Sequence, residues 1–256
     1  MLPTLAIGPI TLPVPAVLIL LALWLGMSQS EKFATRLEIK EKTFSSLLFI
    51  ALLATILGAR ISYAARYPGA FIASWTSFFS LNLAMMDWLG GVLLGALALF
   101  IFISRHSLPL WRVLDALAPM LALLQVAINL ADFASGTAYG TPTSLPWGIY
   151  LWGAFRHPQQ LYAALFSLGI AFLLYPRKHQ TWQPGIRLIS LVSLSALARI
   201  FLEYFRADSR LIFAGIRLPQ ISALVILVFS LWVLKDRIKS NQTEKLEVND
   251  GSNLDQ

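Results

Sequence analysis

The sequence predicts an all-α integral membrane protein, a bundle of seven transmembrane helices, and three observations lead to that prediction. Of the 256 residues, 57% are hydrophobic and only 13% are charged, whereas a soluble domain is about 45–50% apolar and about 25% charged. The mean hydropathy is +0.68. Long Leu, Ala and Ile runs recur without alternation, which favours membrane helices of about 20 residues over membrane strands.

The apolar runs divide the chain into predicted spans at roughly 10–28, 43–65, 81–104, 110–131, 158–175, 186–206 and 218–234. The first run lacks a basic leading segment and a cleavage site, so a membrane helix is preferred over a signal peptide. Residues 1–239 then form one membrane domain. Between its fourth and fifth spans, the residues from about 132 to 158 form a loop rich in Gly and Pro. Residues 240–256 are polar and mixed in charge, which predicts a disordered tail.

Basic residues predict the orientation of these spans. Of the 20 Lys and Arg residues, most follow the first, third, fifth and seventh spans, which the positive-inside rule makes cytoplasmic. The N-terminus is therefore predicted outside and the C-terminus inside. The net charge of +7 favours anionic phospholipid as a partner, and no nucleic acid, in so apolar a chain.

The remaining arginines fall on the predicted outer side, namely Arg60, Arg66, Arg156, Arg199, Arg206, Arg210 and Arg217. Arg199, Glu203 and Arg206 are four and three residues apart, so they are predicted to share one face of the sixth span. Glu203 would then orient two guanidinium groups that bind a phosphate. The alternative is a structural row of compensating charges.

Glycines predict where helices approach closely. Gly58 in the second span and Gly90, Gly91 and Gly95 in the third provide the small-residue surface that such packing needs. The chain contains no cysteine, so a thiol nucleophile would have to come from a substrate. Neither a metal site nor a cofactor is predicted, because no ligand spacing or nucleotide fingerprint is present. His157, on the outer side, is either a general base or an ordinary hydrogen-bonding residue.

The chain resembles the prolipoprotein diacylglyceryl transferases, a family of seven-span bacterial enzymes. The resemblance rests on the motifs Gly58-Ala59-Arg60…Tyr63, Tyr139-Gly140, Arg156-His157-Pro158…Gln160-Leu161-Tyr162 and Arg199…Glu203…Arg206. It implies transfer of diacylglyceryl from phosphatidylglycerol, or a similar anionic phospholipid, to the thiol of a prolipoprotein lipobox peptide. The products would be a thioether-linked lipid and glycerol phosphate, formed at the outer side of the bacterial inner membrane in lipoprotein biosynthesis.

The resemblance also implies roles for individual residues. Catalytic roles fall to Arg199, Glu203 and His157. Substrate-binding roles fall to Arg60, Tyr63, Asp132, Gly140, Arg156, Gln160, Tyr162 and Arg206.

Several positions depart from the family pattern. Its His is replaced by Leu89, its Arg by Asn129, its Asn by Asp132 and its Glu by Thr137; a Tyr and a second Glu are replaced by Pro15 and Ala163. Asn129 is uncharged and cannot clamp a phosphate as a guanidinium does. Three hypotheses follow. The chain is a diverged transferase in which His157 or Asp132 acts as base, or a catalytically lapsed relative that binds anionic lipid or a lipoprotein precursor. The third hypothesis is a transporter-like bundle, or one with an unrelated transferase activity on a lipid head; the transporter ranks last, because the sequence contains no internal repeat.

Overall fold

The structure, a computed structural model, describes residues 3–7, 10–72, 85–177, 182–209, 211–213 and 216–254. The described helices are α1 Val14–Arg36, α2 Glu41–Arg66, α3 Pro68–Ile72, α4 Trp88–Arg105, α5 Leu110–Ser135, α6 Gln159–Leu173, α7 Ile186–Leu202 and α8 Leu218–Leu254. Six of the helices that the structure describes are long and apolar enough to cross a membrane, and α6 is a shorter apolar helix. The predicted class, a multi-pass helical membrane protein, is confirmed.

The described part of the chain contains three short antiparallel hairpins, one before α1 and two in connections between helices. They pair β1 Thr4–Ile7 with β2 Ile10–Pro13, β3 Ile149–Leu151 with β4 Ala154–Arg156, and β5 Leu211–Phe213 with β6 Ile216–Arg217. The prediction that the first span starts at residue 10 is therefore wrong, since the chain is extended up to Pro13. Pro15 is accommodated in the first turn of α1, where backbone N–H groups have no helical partner.

Other helix boundaries also differ from the prediction. The third span starts at Trp88 rather than 81, with Asp87 as its N-cap; residues 81–84 lie outside the described part. The sixth ends at Leu202 and continues as a single 3-10 turn, Glu203–Phe205. The backbone of α8 is helical to Leu254, across most of the tail for which the sequence predicts disorder. Disorder of this tail in solution stays a prediction. It rests on the general rule that polar helices are marginally stable in water.

The chain divides into two compact units, of which one comprises residues 31–113. In this unit α2 packs on α4 through glycines, as predicted. A Cβ on Gly58 would lie 2.5 Å from the Gly90 carbonyl oxygen, and one on Gly95 would lie 2.2 Å from the Thr55 hydroxyl oxygen. Any larger side chain would therefore push the two helices apart.

Asp87 joins the same two helices by polar contacts. Its carboxylate accepts hydrogen bonds from the Ser62 hydroxyl (2.9 Å) and the Leu89 amide (3.1 Å), and pairs with Arg66 at 2.8 Å. The Ser62 hydrogen bond is the main cause that lowers the pKa of Asp87, and burial opposes it; the Leu89 amide and Arg66 lower the pKa further. Asp87 therefore stays ionised at neutral pH. The sequence interpretation missed this residue, although an Asp before an apolar helix is an N-cap signal.

The other unit comprises residues 1–30 and 114–256. In it Asp115, a buried residue of α5, caps the start of α7. Its carboxylate accepts hydrogen bonds from the backbone N–H groups of Gly185 (2.7 Å) and Leu188 (2.8 Å). Buried Arg187 donates to the Leu174 carbonyl at the end of α6. These bonds satisfy polar groups that would otherwise be orphaned in an apolar setting, so α5, α6 and α7 are fixed at one end.

Candidate functional site

The opposite end of α7 is tied to the loop between α5 and α6 by backbone pairing. The Thr141 amide donates to the Phe205 carbonyl (2.8 Å), and the Ala207 amide donates to the Tyr139 carbonyl (2.9 Å). On its other side the same loop segment pairs with the end of β4, where the His157 amide donates to the Thr141 carbonyl (3.0 Å). The segment 139–143 thus lies between the chain after α7 and the chain before α6. This pairing brings together the α5–α6 loop, the end of α7 and the chain before α6, all of which carry predicted site residues.

Gly140 is required by this pairing. A Cβ at this position would lie 2.3 Å from the His157 carbonyl oxygen and 2.8 Å from the His157 Cβ. Both are fixed parts of the neighbouring segment and cannot yield as a flexible side chain would. Gly140, predicted as a substrate-binding residue, therefore has a structural role that its contacts explain.

Arg199 and Glu203 form the charged pair at the end of α7. Glu203 is 2% exposed, and its carboxylate accepts a hydrogen bond from the Ser209 hydroxyl. The Arg199 side chain is 54% exposed, and its Nε lies 3.8 Å from the Glu203 carboxylate. The pair is loose, so the guanidinium of Arg199 can bind an external anion while Glu203 limits where it moves.

Arg206 does not share the helix face predicted for it. The α-helix ends before it, and Arg206 pairs in extended conformation with Gly140. Its guanidinium instead forms a bidentate ion pair with Asp208, with an Nε–Oδ1 distance of 2.5 Å. The prediction that Glu203 orients both arginines is therefore wrong for Arg206, because the direct ion-pair partner of Arg206 is Asp208. Burial lowers the pKa of Arg206, but the carboxylates of Asp208, Glu203 and Asp132 more than offset this and raise it.

Arg217, to which the sequence interpretation gave no individual role, braces the end of α7. Its guanidinium donates to the backbone carbonyls of Glu203 and Arg206. The Glu203 carbonyl also accepts the Arg206 amide at 3.2 Å, and the Arg206 carbonyl lies beyond the helix end, where backbone acceptors lack intrahelical partners. Arg217 thereby positions the segment that carries Glu203. Its place just before the last span was visible in the sequence, but its partners were not.

Asp132 and Asn129 lie near the end of α5. Asp132 is half-buried, accepts a hydrogen bond from the Thr137 hydroxyl (2.9 Å), and lies within electrostatic range of Arg199 and Arg206. Asn129 donates to the Ser167 hydroxyl of α6 at 3.0 Å. The uncharged Asn129 thus joins two helices.

His157 belongs to an aromatic cluster. Its ring lies 5.2 Å from that of Phe205 and 6.2 Å from that of Tyr162, and its Nδ1 lies 3.5 Å from the Tyr162 hydroxyl. The Trp147 indole donates to that hydroxyl at 2.8 Å. Tyr162 therefore connects the loop to the first turn of α6 and supports the position of His157.

Arg156 and Gln160 support the loop by bonds to its backbone. Arg156 donates to the Leu151 carbonyl (2.9 Å) and the Gly140 carbonyl (3.3 Å), and its guanidinium lies 4.9 Å from the centre of the Tyr139 ring. Buried Gln160 donates to the Thr137 carbonyl at 2.6 Å. Both residues hold the site in shape through these contacts.

Arg60 and Tyr63, also predicted to bind substrate, belong to the unit of residues 31–113. Arg60 is 4% exposed and donates to the Met85 carbonyl at 3.4 Å, while the Tyr63 ring packs against Tyr67 at 4.8 Å. Leu89 lies half-exposed on α4, beside the N-cap. The remaining predicted site residues belong to the other unit.

The multi-pass fold of apolar helices defines the class as an integral membrane protein, and the exposed Arg199 beside buried Glu203 is its candidate site. The sequence model of the family described as prolipoprotein diacylglyceryl transferase matches residues 3–235. The chain belongs to this family.

Relatives of similar length carry the name phosphatidylglycerol–prolipoprotein diacylglyceryl transferase. The protein of Thermosynechococcus vestitus is 30% identical, over 90% of this chain and 90% of its own. That of Synechococcus elongatus is 29% identical, over 89% and 84%. That of Synechococcus strain CC9902 is 30% identical, over 91% and 92%.

Proposed function

We propose that this protein is a phosphatidylglycerol–prolipoprotein diacylglyceryl transferase. In the reaction the thiolate of a prolipoprotein cysteine forms a C–S bond with the terminal glycerol carbon of the diacylglyceryl group. The bond from that carbon to the phosphate oxygen breaks, and glycerol phosphate leaves with the electron pair. The thiol proton passes to a base on the protein. The substrates are those in the relatives' names, and both are available to a multi-pass protein of the bacterial inner membrane.

The observation that carries this proposal is the Arg199–Glu203 pair. Positive charge placed where a phosphate leaves stabilises the negative charge that develops there. Arg199 is more than half exposed and only loosely paired, whereas Arg206 is held by Asp208. Arg199 therefore binds the phosphate directly, and Glu203 positions it. Arg206, whose charge Asp208 compensates, contributes less.

Asp132 is the favoured base toward the thiol, with His157 as the alternative. Asp132 lies in the same electrostatic neighbourhood as Arg199 and Arg206, so a proton acceptor there would be close to the bound phosphate. His157 is held among aromatic rings, which suits it to shaping the site. A general base must reach the proton that it abstracts, and apo geometry does not exclude a residue that moves closer with substrate.

The remaining parts of the proposal concern the membrane. The site faces the outer side, with the N-terminus outside and the C-terminus cytoplasmic, and α6 crosses the membrane as the fifth of seven spans. The basic residues around the α1–α2 and α4–α5 connections, and those that follow the apolar part of α8 (Lys235, Arg237 and Lys239), support this orientation under the positive-inside rule.

The direct test is transfer from phosphatidylglycerol to a synthetic lipobox peptide, with mass spectrometry detecting the added diacylglyceryl mass. Arg199→Ala should lose most of the activity, and Arg199→Lys should recover part of it as a point charge without the bidentate fork. Lys245→Ala, in the polar tail, is the matched control and should remain active. Saturable binding of phosphatidylglycerol without any product would instead identify a catalytically lapsed lipid-binding relative.

A further inference from the structure

The hairpin of β3 and β4 exposes aromatic side chains on its outward face. Tyr150 and Phe155 oppose each other across the two strands, 69% and 59% exposed, and their rings meet edge to face at 5.4 Å. The residues on either side of them in each strand are half-buried. In a hairpin bathed by water the outward residues are polar, so two aromatic rings there indicate a non-aqueous partner.

Two tryptophans extend the same surface. Trp147 and Trp152 are 56% and 66% exposed, yet both indole N–H groups are satisfied internally. Trp147 donates to the Tyr162 hydroxyl, and Trp152 donates to the Gly136 carbonyl at 3.1 Å. The exposed parts of these rings are therefore apolar. We call Trp147, Tyr150, Trp152 and Phe155 the aromatic face.

The backbone holds this face rigidly. Trp152 and Gly153 both have positive φ, 51° and 77°, as the tightest two-residue hairpin turns require. A bulky residue such as tryptophan seldom adopts this conformation. Arg156 further braces the hairpin by donating to the Leu151 carbonyl. The aromatic face is thus presented by a fixed element of the loop.

The tether to α6 sets the level of the hairpin relative to the bilayer. β4 ends at Arg156, three residues before α6 begins, so it lies within about 10 Å of that helix end. With 15 residues, α6 is about 22 Å long, about 8 Å less than the hydrocarbon core. A segment attached to so short a helix lies at headgroup depth, in a layer about 5–8 Å thick on each side.

We propose that the aromatic face is a membrane-interface anchor that contacts the headgroup and glycerol region of the leaflet next to the site. Tryptophan and tyrosine concentrate at this level because their rings are apolar and their polar atoms can reach a hydrogen-bond partner. The anchor fixes the loop 139–157, which pairs with the end of α7, at the depth of lipid headgroups. The proposal does not depend on catalysis.

The absence of native cysteine makes the test direct. Tyr150→Cys and Phe155→Cys are each labelled with the environment-sensitive fluorophore NBD in nanodiscs of phosphatidylethanolamine and phosphatidylglycerol. Some nanodiscs carry phosphatidylcholine spin-labelled near the headgroup, others near the acyl-chain end. Ser144→Cys, an exposed polar position of the same loop, is the matched control. Thermal unfolding checks that each labelled protein is folded.

Blue-shifted emission at both hairpin positions, quenched more by the spin label near the headgroup, is expected, with water-like emission at position 144. Water-like emission at both hairpin positions would overturn the anchor, as would equal quenching at all three positions. A blue shift that appears only after a lipobox peptide is added would assign the face to the protein substrate and would also overturn it. None of these readings requires transferase activity.

Discussion

At the scale of single residues, burial separates Glu203 from Arg199. The carboxylate is enclosed and holds a hydroxyl hydrogen bond, whereas the guanidinium extends into the open. A buried carboxylate needs such partners, because an unpaired charge in a low-dielectric setting is costly. Under the proposed function the two residues would therefore differ in role: Glu203 would position Arg199, and Arg199 would contact the substrate.

Glu203→Gln tests that division of roles. Glutamine keeps the size and one acceptor oxygen for Ser209 but removes the charge that restrains Arg199. We expect kcat to fall by about 10- to 100-fold, the effect of misplacing a catalytic group by about 1 Å, with the shape of the pH profile unchanged. Asp236→Asn makes the same chemical change at an exposed position of α8 and should leave kcat as it is. If the pH profile also shifts, Glu203 takes part in proton transfer.

Gly140→Ala tests the close approach of two backbone segments. The added Cβ would meet the His157 carbonyl at 2.3 Å, and relief requires a backbone shift that costs about 1–3 kcal/mol. Thermal unfolding in detergent should show a lower Tm and reduced transfer activity. Gly169→Ala is the control, because nothing lies within 4 Å of its added Cβ and alanine in a helix stabilises by about 0.5–1 kcal/mol. A Gly140→Ala protein as stable as Gly169→Ala would refute the close contact.

At the scale of elements, the ends of α7 are fixed by different chemistry. Its start is capped by the Asp115 side chain of α5, and its far end is braced by Arg217, the last residue of β6. Both devices satisfy backbone groups that a helix end leaves without partners. Because the second device also holds Glu203, the helix that carries the site is positioned from both ends.

Asp115→Ala tests the first of these devices. Removing the carboxylate leaves two buried amides without their acceptor, at about 1–3 kcal/mol for each group. We expect a clear decrease in Tm in detergent, and a smaller one for Asp115→Asn, which retains one acceptor oxygen. Asp236→Ala removes an exposed carboxylate and should change Tm little. Equal Tm values for Asp115→Ala and Asp236→Ala would mean that other groups cap α7.

At the scale of the whole molecule, the predicted orientation in the membrane rests on charge rather than on packing. The turn between α4 and α5 is flanked by Arg105 and Arg112, whereas the loop after α5 carries the aromatic face. Basic residues remain in the cytoplasm during insertion. The turn is therefore predicted to be cytoplasmic and the loop to lie outside.

Cysteine accessibility tests this assignment without native background. In intact cells a membrane-impermeant maleimide should label Ser144→Cys, in the loop. Ser107→Cys, in the α4–α5 turn, should react only after permeabilisation. The reverse pattern would invert the topology and place the Arg199 site on the cytoplasmic side.

Composition and local pattern determined the number and approximate position of the apolar helices. They also determined the glycine contacts between α2 and α4, because hydrophobic length and small residues act locally along the chain. The motif resemblance, which also depends on residues close together in the sequence, led to Arg199 and Glu203. The helix boundaries were less accurate, since a run of apolar residues does not reveal where pairing with another segment ends a helix.

Only the tertiary structure decided the partners of the charged and polar side chains. The end of α7 at Leu202 turned Arg206 toward Asp208. Asn129 donates a hydrogen bond to Ser167, and Arg217 donates to the carbonyls after α7. The outward direction of Tyr150 and Phe155 depended on a register set by the hairpin turn. Each of these contacts joins residues whose proximity depends on how separate segments of the chain pack together. The spacing of residues along the sequence does not specify that packing.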